Sequence, residues 1–285
     1  MGDTYSSLFA FGLITLLYYS YLKPSPEVSM FDTQEGQNGE AYLKYKSTSN
    51  YYLLGYTVFV ILIQFLINAY QLVSTCGGDI GNNFVAAAMM TFVPWTIIFG
   101  SVIAVLMMFP GFKSAFSNVI GYFAVSRQAN IILTELLENT DIQEKIDNIP
   151  GGESSKAVKT DLERAAETIL KVVGDTSIMI NQIVPDNFEE FWELMEPLMK
   201  KDLGDKKADL KIALLSIVVT RDNIGEALWF IYTGILLITI INYNMTVRGC
   251  KLSPEMQAKR AEEFRKKEEE AENQRELKDK TVYLG

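Results

Sequence analysis

"FVAAAMMTFVPWTIIFGSVIAVLMMF" (residues 84–109) runs for 26 positions without a charged side chain. A helix in lipid must pair every backbone group internally and needs about 20 apolar residues to cross the hydrocarbon core. A buried helix of a soluble protein that long normally keeps a polar face, and this run has none. It therefore reads as a membrane span. Three further stretches share the character: "YSSLFAFGLITLLYYSYL" (5–22), "YYLLGYTVFVILIQFLINAYQLV" (51–73) and "ALWFIYTGILLITIINYNMTV" (227–247). The chain has 285 residues, 21% of them charged, and its mean hydropathy of +0.10 conceals a sharp segregation of charge from these runs. The fold class expected is all-α: a polytopic membrane protein with about four transmembrane helices and a helical extramembrane segment.

That reading divides the chain into a first span over 1–23, a loop over 24–50, a hairpin of spans over 51–109 (51–73 and 84–109), an extramembrane region over 110–226, a fourth span over 227–247 and a charged tail over 248–285. The first run lacks the basic leading segment and small-x-small site of a cleaved signal, so an uncleaved helix is expected. "MGDTYS" fits the crude myristoylation pattern at Gly2, with Asp3 an awkward neighbour. Lys23, Lys44 and Lys46 in the stretch 23–50 favour a cytoplasmic side for it and for 110–226, whereas Arg248, Lys251, Lys259 and Arg260 argue the opposite. Orientation stays open.

The region 110–226 reads as helical. Val158, Leu162, Ala165, Ile169 and Val173 share one face behind an N-cap at Ser154 or Ser155. Pro185-Asp186-Asn187 opens a second helix, with Phe188, Phe191, Trp192, Met195 and Leu198 at helical spacing. A third, 208–219, leads through "TRDNIGEA" into the last span, and 147–155 and 203–207 are linkers. Acids outnumber bases here, which argues against nucleic acid as a partner. The tail mixes both signs without apolar heptads, as a solvated helix or disordered arm does.

Candidate chemistry is sparse. The chain has no histidine, which removes histidine-based triads, most zinc sites and the usual proton shuttle. "GGESSK" (151–156) lacks the spacing of a phosphate loop. Glu135/Glu138 and Asp141/Glu144 read as solvated charges, and the Asn244 sequon lies at the membrane edge. No catalytic, metal or cofactor site is expected, and the protein is not expected to be an enzyme. Inside the spans, Gln64 and Asn68 lie four apart on one face and Asn242 lies near the end of the fourth. Buried amides in lipid tie helices together or line a path. Pro94 implies a kink, and Gly100 with Ala104 a small-residue contact surface. Four spans put Cys76 and Cys250 on the same side, where they can form a disulfide; free or palmitoylated thiols are the alternative.

At the third membrane exit stands "FPGFKSAFSNVIGYF" (109–123). Pro110-Gly111 stops the span, and Phe112, Phe116, Ile120 and Phe123 then fall on one helical face, with Asn118 and Tyr122 nearby. That is the pattern of a short helix lying in the bilayer interface; a helix packed under the extramembrane segment is the competing account.

Taken in order, "TCGG", "FVPWTIIFG", "FPGFKSAFSNVIGY", "PDNFEEFW" and "WFIYTGILLITIINYN" resemble a family of transmembrane minor capsid proteins of nucleocytoplasmic large DNA viruses, the chlorella viruses among them. The matching positions are Cys76, Gly77, Gly78, Pro94, Trp95, Pro110, Gly111, Phe116, Ser117, Asn118, Gly121, Tyr122, Phe188, Phe191 and Trp192. Phe112 stands where the family often has tryptophan, Ala115 where it often has proline, and the resemblance covers roughly 51–247. It implies a structural role: linking the internal virion membrane to the capsid, with the lipid bilayer and other capsid proteins as partners, self-association, and a host endomembrane as the assembly site. A viral ion channel or transporter built on Gln64, Asn68 and Asn242 is the alternative, and a membrane-remodelling assembly factor using 112–123 is another.

Overall fold

The computed structural model describes residues 2–31, 39–76, 80–137, 176–248, 258 and 261–272. Among the described residues there is no strand beyond an isolated antiparallel bridge between Leu137 and Met199. Helix α1 is Gly2–Leu17 and continues as a π-helical turn, Tyr18–Leu22; α2 is Glu40–Cys76 and α3 is Ile80–Pro94. A second π-helical turn, Trp95–Phe99, joins α3 to α4, Gly100–Met108. A 3-10 turn (Pro110–Lys113), one α-turn (Ser114–Phe116) and a third π-helical turn (Ser117–Gly121) lead into α5, Tyr122–Leu136. Then come α6 (Thr176–Gln182), α7 (Phe188–Met195) and α8 (Lys206–Arg248). Four helical stretches are long and apolar enough to cross a membrane: Tyr5–Leu22, Glu40–Cys76, Asn83–Met108 and Lys206–Val247.

Two compact units emerge, one of Met1–Phe11, Phe59–Ile98 and Ile235–Gly285, the other of Gly12–Val58 and Phe99–Gly234. The first is held by side chains at helical spacing on α2, with Val60, Gln64, Asn68 and Leu72 buried. Phe11 packs on Trp95 with ring centroids 5.6 Å apart. Phe65 lies between Phe84 and Phe92, 5.3 and 5.4 Å away. The opposite faces of the same helices are apolar and exposed: Leu62, Leu66 and Tyr70 on α2, Val85 and Met89 on α3. A water-facing helix would not carry that much apolar surface in rows, but a lipid-facing one must.

The second unit has an apolar core contributed by α5 (Val125, Ala129, Leu133, Leu136), α6 (Met179, Ile180), α7 (Phe188, Trp192, Met195) and the first turns of α8 (Leu210, Leu214, Val218). The i, i+4 periodicity of each helix is what brings these side chains to one face. Beside that core, Tyr18, Tyr56, Phe99 and Phe230 stack and tilt against one another at 4.4 to 6.0 Å.

Several sequence expectations change. The loop 24–50 is helical from Glu40 onward. Tyr42 explains why, since its ring is buried against Phe31, 5.0 Å away, and its hydroxyl bonds Asp186. Helix 208–219 and the span 227–247 are one 43-residue helix without a break at "TRDNIGEA". The weak helix formers there are fixed by tertiary partners, which override propensity. Pro94, which has no amide donor, is followed directly by the π-helical turn Trp95–Phe99. Among the described residues a Cβ on Gly100 would meet nothing within 4 Å, and Ala104 is exposed, so the small-residue surface they were expected to form is not used there. Of the tail, 261–272 is an exposed helix, with Lys266 and Glu262 paired at 3.7 Å. The expected helix over 158–173, its cap, the 147–155 linker, "GGESSK", Glu138 and the Asp141/Glu144 pair lie outside the described residues.

Candidate functional site

The charged residues that matter most stand at the ends of the apolar runs. Lys23 follows the first, Lys113 follows the third across the Pro110 turn, and Glu226 precedes the fourth. All three converge. Lys23 Nζ donates to Glu226 Oε1 at 2.6 Å and Lys113 Nζ lies 2.7 Å from Glu226 Oε2. The Tyr19 hydroxyl donates to Oε1 at 2.8 Å, and Lys113 also reaches Asp222 Oδ2 at 3.1 Å. Glu226 is interior to α8 and buried.

An isolated carboxylate out of water is very costly, and two ammonium groups with a phenol offset that cost. Burial pushes the Lys23 ammonium below its ordinary value, outweighing the attraction of Glu226, and the neighbouring Lys113 ammonium pushes the same way. Burial acts in the same direction on Lys113, but Glu226 and Asp222 together outweigh it and hold that ammonium above its ordinary value. Lys113 is in direct contact with both carboxylates, whereas Lys23 touches only that of Glu226.

One turn earlier on α8, Arg221 is fully buried. Its Nη1 donates to the Ile180 carbonyl and its Nη2 to the Ile183 carbonyl at 2.7 Å, so the guanidinium caps the C-terminal end of α6. The segment after Pro110 lies close on this part of α8. A Cβ on Gly121 would stand 2.7 Å from the Arg221 carbonyl oxygen, and one on Gly225 would stand 2.7 Å from Ser117 Cβ. Only glycine permits so close an approach. The Trp229 indole donates to the Phe112 carbonyl at 2.9 Å, and the Phe116 ring meets Trp229 edge-on at 5.1 Å.

The interfacial residues expected from the sequence thus divide. Pro110, Gly111 and Phe112 are exposed, as is Phe123 at 83%. Phe116 packs on Trp229, Tyr122 packs against the core, and the Asn118 carbonyl accepts from Asn181 Nδ2 at 3.4 Å. The buried face is the small one, Ser117 and Gly121, while Val119, Ile120 and Phe123 point away from the protein. The intramembrane amides separate too. Gln64 Nε2 donates to the Ser7 carbonyl at 3.1 Å and its oxygen accepts from the Ser7 hydroxyl, while Asn68 Nδ2 donates to Thr91 Oγ1 at 2.8 Å. Four residues apart on α2, they bond two different helices. Asn242 is buried and its Oδ1 has no hydrogen-bond partner. Cys76 is disulfide-bonded; Cys250 lies outside the described residues.

Sequence reasoning missed Arg221, Tyr19 and the convergence on Glu226. A signal existed, since in a four-span topology Lys23, Lys113 and Glu226 all fall on one side, each within a few residues of an apolar boundary. Among the described residues no group of three or more histidine, cysteine or acidic side chains is arranged to hold a metal.

Fold and node together define the class: an all-α polytopic membrane protein with buried charge tied together at the boundaries of its apolar runs. Comparison with protein-family models, with curated proteins and with solved structures finds no match.

Proposed function

We propose that the protein is a structural minor capsid protein that anchors an icosahedral shell to the internal membrane of a large DNA virus. The observation that carries this reading is α8. One uninterrupted helix supplies Leu210, Leu214 and Val218 to the extramembrane core and then becomes the apolar run 227–247. At 1.5 Å per residue its 43 residues extend about 65 Å, against a hydrocarbon core of about 30 Å. A tether that transmits position from a shell to a bilayer needs such a continuous element. Of the motif residues that carry the resemblance to transmembrane minor capsid proteins, Trp95, Ser117, Gly121, Phe188 and Trp192 are buried, whereas Pro110 and Gly111 are exposed. In this reading the bilayer and other capsid subunits are the partners, self-association is expected, and assembly begins on a host endomembrane. The exposed helix 261–272 offers a charged surface for a capsid protein.

A pore reading is less well supported, because Gln64 and Asn68 are engaged with Ser7 and Thr91. The test is cross-linking mass spectrometry on intact particles and on detergent-stripped cores. The protein should be present in many copies, with cross-links from its extramembrane lysines to capsid subunits. Absence from particles would end the proposal.

A further inference from the structure

Beside the ionic node lies a cavity of about 240 Å³. Its polar wall holds Lys23, Lys46 and Lys113 against Asp186, Asp222 and Glu226, and its apolar wall includes Leu53, Leu106, Met107 and Phe230. Tyr18 also lines it. That side chain is 1% exposed, and its hydroxyl is buried with no hydrogen-bond partner. A buried hydroxyl left unpaired costs about 1–3 kcal/mol, so native proteins rarely keep one without a reason. We infer that this cavity binds the headgroup of a zwitterionic aminophospholipid of the phosphoethanolamine type.

Four features of the wall select that chemistry. Position comes first: Tyr18, Met107 and Phe230 belong to the ends of apolar runs, while Lys23 and Lys113 lie just beyond them, the depth at which headgroup gives way to acyl chain. Charge comes second. Three lysines balance three carboxylates, so a ligand carrying a net charge would unbalance the wall, whereas a phosphate with its own ammonium matches it. Third, Asp222 accepts from Lys113 at 3.1 Å, and Asp186 accepts from the Tyr42 hydroxyl and, at 3.3 Å, from Lys46 through the same oxygen, Oδ1, leaving Oδ2 open. Both carboxylates retain acceptor capacity for the three N–H donors of a primary ammonium. A quaternary choline has no such donors. Fourth, the Tyr18 hydroxyl can donate to the phosphate or to an ester carbonyl at the head of the acyl chains. The volume suits a headgroup and excludes whole acyl chains, which would leave along the apolar wall. Lys23 and Lys113 keep Glu226 neutralised in the meantime, so the ligand need not break the node.

The experiment uses the full chain, purified in detergent, delipidated and returned to defined lipid, with retained lipid read by native mass spectrometry. Diacyl phosphatidylethanolamine, phosphatidylcholine and phosphatidylglycerol are added at equal concentration, and soluble glycerophosphoethanolamine serves as competitor. The wild type should retain one phosphatidylethanolamine at collision energies that strip the other two lipids. Tyr18→Phe removes only the unpaired hydroxyl, so its thermal stability should equal or exceed that of the wild type while its retention of that lipid falls about five-fold or more. Lys46→Gln, a change at the half-exposed rim, leaves the wall one negative charge in excess and should widen the discrimination against phosphatidylglycerol; an unchanged ratio of phosphatidylethanolamine to phosphatidylglycerol would count against the charge-matching argument. Equal retention of all three lipids would overturn the inference, as would wild-type retention by Tyr18→Phe. Complete displacement by millimolar glycerophosphoethanolamine would overturn the lipid as the source of the ligand.

Discussion

Replacing Gly225 with alanine puts a methyl group 2.7 Å from Ser117 Cβ, 2.9 Å from the Ser117 nitrogen and 3.0 Å from the Lys113 carbonyl oxygen. Carbon pairs rest at about 3.5–4.0 Å, so the two segments must separate by several tenths of an ångström. Two of the three atoms are backbone, and no rotamer change relieves them. Overpacking of this kind costs about 1–3 kcal/mol. Alanine returns about 0.8–1.0 kcal/mol through its higher helix propensity. Any separation also draws Lys113 from Glu226, its neighbour at 2.7 Å, so the net loss should be about 1–2 kcal/mol. For a chain of this size that lowers Tm by roughly 2–3 °C. Gly55→Ala is the matched control, since a Cβ there meets nothing within 4 Å, and it should leave Tm unchanged or raise it. The assay is the fraction of monodisperse protein remaining in detergent after heating, measured by size-exclusion chromatography. If Gly225→Ala proves as stable as Gly55→Ala, the close packing of 113–121 on α8 is wrong.

Three further outcomes follow from the same geometry. Glu226→Gln leaves Lys23 and Lys113 without their shared anion and should cost about 3–5 kcal/mol, whereas Lys23→Met combined with Glu226→Gln should cost less than the sum of the single changes; thermal melts of the four proteins decide it. Arg221→Met strips the Ile180 and Ile183 carbonyls of their donors, and amide exchange over 176–184 should rise by about ten-fold or more, for a local loss of about 1.5–3 kcal/mol. Because the folded-state value of Lys113 lies above its ordinary one, its stabilising contribution is fully present at neutral pH and is lost only as pH rises through that raised value. The Tm gap between wild type and Lys113→Gln should therefore be constant from about pH 6 to 9 and narrow only in strong alkali.

Much of the architecture was legible because it depends on local chemistry. Uncharged runs near 20 residues have only one cheap conformation in lipid, so the spans over 5–22, 51–73, 84–109 and 227–247 could be read from the chain alone. The same holds for the face Phe188–Trp192–Met195 of α7, where 3.6-residue periodicity acts within one helix. Other features depended on partners far away in sequence. Nothing near Glu40 announces a helix; Tyr42 earns its place there by packing on Phe31 and bonding Asp186, 144 positions away. "TRDNIGEA" looks like a break, yet Arg221, Asp222 and Glu226 each find their counter-groups on other elements and keep α8 continuous.

The sequence by itself determined where the chain can be in lipid and where it cannot, because that choice is made by composition over a single helix length. Only the tertiary structure decided what the charges at those boundaries do. Lys23, Lys113 and Glu226 are 203 and 113 residues apart along the chain in their two pairings, and a charge reads as solvated until an opposite charge is brought within 3 Å of it out of water. The same distinction governs "FPGFKSAFSNVIGYF". Its aromatics drew attention as residues, but its glycine and serine set the packing, because a missing side chain matters only once another backbone lies against it.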